Sequence, residues 1–225
     1  MANSAKQPVR LILASNSPRR KELLRLAGWD FRILPSDVDE TPLDGEPADE
    51  YVLRIAEEKA RAAAPAAQNG EIVVAADTTV ADHGFILGKP QDAEEAFEML
   101  FRLRAREHQV YTAVAVYHPA ENRLVMELAA TDVPMRAYSR DEIDAYIATG
   151  DPFDKAGSYA IQHPEFQPVD ALTGCYANVV GLPLCHLERA MRSLGIAPET
   201  DIPSGCQTTL AYTCTVYPQV QKGEL

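Results

Sequence analysis

Ser15-Asn16-Ser17-Pro18-Arg19-Arg20 brings hydroxyls and guanidiniums together directly after the apolar run Leu11-Ile12-Leu13. Ser17 suits an N-cap and Pro18 suits the first helical position, so the segment reads as strand, tight turn and helix start. Arginines in a first helical turn oppose the helix macrodipole, which is already positive there. An anion reverses the sign of that interaction, because free N–H groups, hydroxyls and guanidiniums then converge on it. The chemistry that fits is phosphate binding, and two arginines swung into solvent are the alternative.

Further residues of chemical interest lie along the chain. Residues 71–76, Glu-Ile-Val-Val-Ala-Ala, read as a strand buried on both faces that ends at Asp77, with a further short strand over 79–81. In open α/β sheets the carboxyl ends of strands are where ligands bind, so a carboxylate there is a catalytic candidate. Gly88-Lys89-Pro90 presents a lysine from a backbone that Gly and Pro restrict, without the flanking residues of a Walker A loop. Lys59 shares one face of a helix over 46–64 with Val52, Ile55, Ala56 and Ala63. A lysine on that face either snorkels or meets an anion. Asp37, Asp39 and Glu40 follow a strand over 29–34 and read, on their own, as a solvated acidic turn. His108 has no partner near it in sequence and reads as structural.

The elements that must hold these groups alternate between strand and helix. Asp92 and Glu95 cap a helix, residues 108–117 and 123–138 read as antiparallel strands about a turn at 119–122, and Ser139 with Glu142 opens another helix. Pro183 starts a last helix that ends near Gly195. Residues 197–225 read as an appendage with no periodic pattern.

A chain of 225 residues with 46% hydrophobic and 24% charged residues can bury a proper core. Its net charge of −12 argues against a nucleic-acid surface, which needs a basic face, but permits one phosphorylated ligand in a locally basic cleft. No apolar run reaches the ~18 residues of a membrane span and no signal-peptide pattern opens the chain, so a cytoplasmic protein is expected. The cysteines lack zinc-ligand spacing. Cys175 and Cys185 read as core thiols. A disulfide between Cys206 and Cys214 is open to them but disfavoured by a reducing compartment.

The segment 15–24, Asp77 with Gly88-Lys89-Pro90, the block 151–162 and the segment 174–183 together resemble, in order, the Maf family, also called septum formation inhibitor-like proteins. The resemblance covers residues 10–195. It departs at His163, where the family typically has Gly after Ile-Gln. The resemblance implies an α/β fold of the Maf/ITPase-like kind, a mixed sheet with flanking helices and a central cleft, over residues 1–196, with 197–225 a tail of unassigned role. It implies a nucleoside triphosphate pyrophosphatase, with Asp77, Glu40 and Lys89 catalytic. Ser15, Arg19, Arg20, Lys59, Thr78, Lys155 and Gln162 would bind substrate. A divalent cation, Mg²⁺ or Mn²⁺, would be held by Asp77 and Glu40, and a homodimer is left open. Arg19, Thr78 and Gln162 match the dTTP/UTP subgroup, whereas the 7-methyl-GTP subgroup typically carries tryptophan in place of Arg19. A broad-specificity or purine pyrophosphatase, and a nucleotide-binding regulator of cell division, are the alternatives. The regulator would not need Asp77 and Glu40.

Overall fold

The computed structural model describes residues 9–68 and 70–225, so Asn69 and the first eight residues of the expected 1–196 domain lie outside the described residues. β1 (Arg10–Leu13) leads into α1 (Pro18–Leu26), whose N-cap Ser17 accepts from the Arg20 N–H at 3.4 Å. β2 (Asp30–Ile33) then runs parallel to β1. α2 (Ala48–Ala63) starts two residues later than expected because Pro47 occupies its N-cap. Its stripe Tyr51, Val52, Ile55, Ala56, Lys59, Ala60 and Ala63 is buried.

β3 (Ile72–Asp82) corrects the expectation of two strands divided at Asp77. It is one strand, because β5 (described next) pairs with it without a break, Asp77 opposite Ala113. The polar run Asp77-Thr78-Thr79 interrupts the apolar pattern but leaves the backbone ladder intact on that side. β4 (Phe85–Leu87) returns through His83 and Gly84, both at positive φ as a two-residue hairpin turn requires. α3 (Ala93–Leu103), β5 (Glu107–His118), β6 (Arg123–Pro134) and α4 (Arg140–Ala148) follow, the strands pairing antiparallel as expected. Short helical turns at Asp151–Asp154 and Ala156–Ser158 precede α5 (Tyr176–Val180) and α6 (Leu184–Ser193).

The six-stranded sheet runs β2-β1-β3-β5-β6, parallel in its first half and antiparallel in its second, with β4 on the free edge of β3. The pairing of β3 with β1 ends at Val74, and its pairing with β4 begins at Val80. Between these points that edge of β3 has no strand partner among the described residues, and Asp77 sits in this window. Asp77 is thus in mid-strand, yet it lies beyond the carboxyl end of the neighbouring parallel strand.

Apolar clusters cover both faces of the sheet. α1, α5 and α6 pack on one and α2 on the other. A third cluster joins the far end of β3 to β4, α3 and α4 and forms the opposite wall of a cleft. The C-terminal segment folds as α7 (Ile202–Leu210) and α8 (Tyr217–Lys222). Ile202 enters the core, and Arg189 of α6 donates to the carbonyls of Val220 (2.9 Å) and Leu225. The lack of periodicity in this stretch follows from helices too short to show it.

Arg32 of β2 spans β1 to grip Glu71 at the start of β3, Nε to Oε1 at 2.9 Å and Nη2 to Oε2 at 2.7 Å. These hydrogen bonds hold the Glu71 carboxyl down at about 2. A depressed folded-state pKa adds stability above the unfolded value, ~4.3, that is lost as pH falls through the folded one. Glu71→Gln is therefore expected to lower stability at pH 7 by ~1 kcal/mol. Denaturant titrations from pH 7 into acid should show the difference shrinking below ~4.3 and vanishing below about 2.

Candidate active site

The cleft has a volume of about 710 Å³, within the ~300–1,000 Å³ typical of small-molecule sites. Its floor is an ion triad. Lys59 Nζ lies 2.7 Å from Asp77 Oδ1 and 2.8 Å from Glu40 Oε1. Lys59 and Asp77 are only 7% and 5% exposed, whereas the Glu40 side chain faces the solvent side of the cleft. Lys59 does not snorkel. The carboxylate that β3 turns toward α2 satisfies it, which removes the cost of a lysine on an apolar stripe.

Burial raises the Asp77 carboxyl above the ordinary aspartate value despite the nearby charges of Lys59 and Arg20. Burial pushes Glu40 up as well, but the Lys59 hydrogen bond and the charges of Lys59, Lys89 and Arg20 outweigh it and hold Glu40 low. The two carboxylates of the site are thus shifted in opposite directions.

The Glu40 loop is fastened to α2. Tyr51 Oη donates to the Glu40 carbonyl at 2.8 Å, and Arg54 binds Glu46 through two nitrogens at 2.6 and 2.7 Å. Neither residue was singled out from the sequence. Tyr51 was nonetheless legible, standing four residues before Ile55 and eight before Lys59 on the same helical stripe.

Arg20 crosses the cleft wall. Its Nε donates to the Gly181 carbonyl at 2.9 Å, Nη2 to Thr78 Oγ1 at 3.0 Å and Nη1 to Ser15 Oγ at 3.4 Å. Burial lowers its pKa, partly offset by Asp77. Gly181 ends α5 at φ +114°, and a Cβ there would stand 3.2 Å from Thr78 Oγ1. Thr78 also shares a 2.9 Å hydrogen bond with Thr112, which donates to the Asn178 carbonyl. The resemblance implied Thr78 as one of the substrate-binding residues. Here it is engaged by Arg20 and Thr112 and aims the guanidinium.

The block after α4 forms the other rim. Lys155 Nζ donates to the Asp151 carbonyl, Asp151 Oδ1 and Asp154 Oδ1 at 2.6, 2.9 and 2.6 Å. All its protons are engaged, and Lys155 braces its own turn. Arg19 reaches the same turn, with Nη1 3.6 Å from Asp154. Lys89 and Gln162 line the cleft with exposed side chains. His108, expected to be structural, is buried and hydrogen-bonded to Tyr159 Oη at 2.9 Å.

Among the described residues no set of three or more His, Cys, Asp or Glu is placed to hold a metal ion. Asp77 and Glu40 nonetheless converge on one cation, the Lys59 ammonium. Two carboxylates suit a hard divalent ion whose remaining positions are filled by water and substrate phosphates.

The Maf-like protein family matches residues 10–194. A dTTP/UTP pyrophosphatase of Geobacter sp. is 47% identical over 185 residues, covering 82% of this chain and 95% of that protein. One from Anaeromyxobacter dehalogenans is 47% identical over 189 residues, 83% of this chain and 94% of its own length. The solved Ham1 protein of Staphylococcus aureus aligns over 82% of this chain and 95% of its own at 14% identity and a TM-score of 0.41.

The two rims meet where the Gly157 N–H donates to the Gly88 carbonyl at 3.0 Å, next to Lys89. Gly157 has φ +68°, and an added Cβ would lie 2.8 Å from Val80 Cγ2. Gly157→Ala is expected to cost ~2–4 kcal/mol, from left-handed strain and overpacking together. Thermal unfolding should register this as a fall in Tm of ~2–4 °C per kcal/mol.

Proposed function

The chain belongs to the Maf-like protein family, and from that premise we propose that it hydrolyses dTTP and UTP between the α and β phosphates. The products are the nucleoside monophosphate and pyrophosphate. The observation that carries the reading is the buried Asp77–Lys59 pair at the floor of a cleft whose walls carry Ser15, Arg19, Arg20 and Lys89. A protein that only binds nucleotide gains nothing from a buried carboxylate with a raised pKa, which repels the phosphates it must hold.

In this reading Asp77 takes a proton from the attacking water. Its raised pKa makes it a better base than an exposed aspartate. Lys59 holds Asp77 in position and limits the repulsion between it, Glu40 and the triphosphate. Ser15, Arg20 and the N–H groups opening α1 take up charge on the phosphates, and Lys89 and Arg19 neutralise the departing pyrophosphate. The P–O bond to the bridging oxygen breaks as the water oxygen bonds to the α phosphorus. A divalent cation held by Asp77 and Glu40 would, when bound, supply further neutralisation of the phosphate oxygens.

Asp77→Asn is expected to lower kcat by ~10²–10⁴-fold with the fold intact. Because Asp77 must be ionised, the acid limb of kcat/KM should fall above the ordinary aspartate value of ~3.9. A folded Asn variant with wild-type turnover removes Asp77 from the mechanism.

Base choice falls to Gln162, whose amide offers a donor and an acceptor, the complement of the edge shown by thymine and uracil. A base with the opposite pattern leaves buried groups unpaired. Initial rates on dTTP, UTP, dATP and GTP, scored as pyrophosphate, should favour the first two, and Gln162→Ala should narrow the gap. Equal rates on all four with the unaltered chain would defeat the pyrimidine assignment while leaving the pyrophosphatase standing.

A further inference from the structure

Cys175, Cys185, Cys206 and Cys214, the chain's four cysteines, line one small cavity although they come from separate stretches of sequence. The first two lie inside the family match at residues 10–194, and the last two lie in the segment beyond it. The cavity is about 20 Å³, room for a single water rather than a ligand, and its walls include Tyr176, Leu184, Pro203 and Leu210. All four cysteines are free thiols. No metal-binding set forms among the described residues, so the chemistry on offer here is that of the thiols themselves.

A Cys206–Cys214 disulfide was open but disfavoured on sequence; both are free thiols, and the contacts of the Cys214 turn lead to the Cys175 segment instead. The turn that carries Cys214 is stitched to the segment that carries Cys175. Tyr212 Oη donates to the Gly174 and Leu172 carbonyls at 2.8 and 3.1 Å, and Thr215 Oγ1 donates to the Thr173 carbonyl. The Tyr176 and Tyr212 rings pack with centroids 5.4 Å apart. Cys175 and Cys214 both line the cavity, and the residues joined by these contacts are their near neighbours in sequence. The Cys175 side chain beside it lowers the Cys214 thiol from its ordinary value, toward the thiolate. Burial pushes Cys185 up to about 12 and Cys206 to about 11, which leaves both as inert thiols. A half-buried thiol shifted toward its thiolate, lining one small cavity with a second thiol, is the arrangement of a redox-reactive pair.

We propose that Cys175 and Cys214 are a peroxide-reactive pair that closes to a reversible disulfide, tying the C-terminal segment to the nucleotide domain. The Cys214 thiolate attacks one oxygen of hydrogen peroxide. The S–O bond forms, the O–O bond breaks, and hydroxide leaves to become water with the proton Cys214 had lost. The Cys175 sulfur then attacks the resulting sulfenic acid. The S–S bond forms, the S–O bond breaks, and the hydroxide released takes the Cys175 proton. Two thiols and one peroxide yield one disulfide and two waters, the two electrons passing from sulfur to oxygen. Cys175 is the N-cap of α5, whose other end is the Gly181 carbonyl that holds Arg20. The crosslink is thus anchored to the helix that aims a guanidinium into the cleft.

The test treats the full chain with stoichiometric hydrogen peroxide, alkylates the remaining thiols in denaturant, and maps peptides without reduction. The expected result is an intact mass lower by two hydrogens, a Cys175–Cys214 linked peptide, and alkylated Cys185 and Cys206. Dithiothreitol should reverse the link, and the oxidised chain should show a higher Tm than the reduced one. Cys214→Ser and Cys175→Ala should each abolish the linked peptide, and Cys206→Ser should retain it. Oxidation of Cys214 to sulfinic acid without a crosslink overturns the proposal. So does a Cys185–Cys206 or intermolecular link, or survival of all four thiols.

Discussion

Everything in the cleft depends on one ammonium shared by two carboxylates. Lys59 comes from α2, Asp77 from β3 and Glu40 from the loop between β2 and α2, and they meet within 2.8 Å. A buried ion pair contributes little net stability, because desolvation offsets most of the attraction, but losing one member leaves an uncompensated charge. The triad therefore constrains geometry more than it adds energy. With Val52, Ile55 and Ala56 packed in the cluster that covers this face of the sheet, only one rotation of α2 carries Lys59 to Asp77. Tyr51 and Arg54 on the same helix then hold the loop that presents Glu40.

β3 is the spine that makes this meeting possible. Its first residues pair with β1 in the parallel half of the sheet, and its last pair with β4. β5 runs along its other side throughout, so the backbone stays satisfied across the unpaired stretch. A polar run is tolerated there because its side chains open onto the cleft or meet polar partners, Thr78 meeting Arg20 and Thr112. The same opening lets α1 direct Arg20 at the site from the carboxyl end of β1. A chain with a net charge of −12 thus places Arg19, Arg20, Lys59, Lys89 and Lys155 around one concave place.

The fold was legible where local pattern and tertiary setting agree. The apolar run at Leu11–Leu13, the Ser17-Pro18 helix start, the Ser139 capping box and the antiparallel pair about residues 119–122 all have short-range causes. The break assumed at Asp77 did not occur, because strand continuity is decided by the partner's ladder and not by side-chain polarity. The helices of the C-terminal segment were illegible for a related reason. A helix of six or nine residues carries too few buried positions to display a period, and what stabilises it is the surface of α6 and the core around Ile202.

For the site, the sequence alone determined which groups were available: a serine turn with two arginines, Asp77 after an apolar strand, Lys89 between Gly and Pro, and Lys59 on an apolar face. Residue type and spacing suffice for that, because capping, periodicity and charge act over a few positions along the chain. Only the tertiary structure decided which partner each group has. Thr78 turned out to aim Arg20, Lys155 to brace Asp151 and Asp154, and the turn carrying Cys214 to be joined to the segment carrying Cys175. Those pairings join residues from one to 58 positions apart. Hydrogen bonds and charges act over a few ångströms in space, and no spacing along the chain encodes which distant segments the packed core will bring that close.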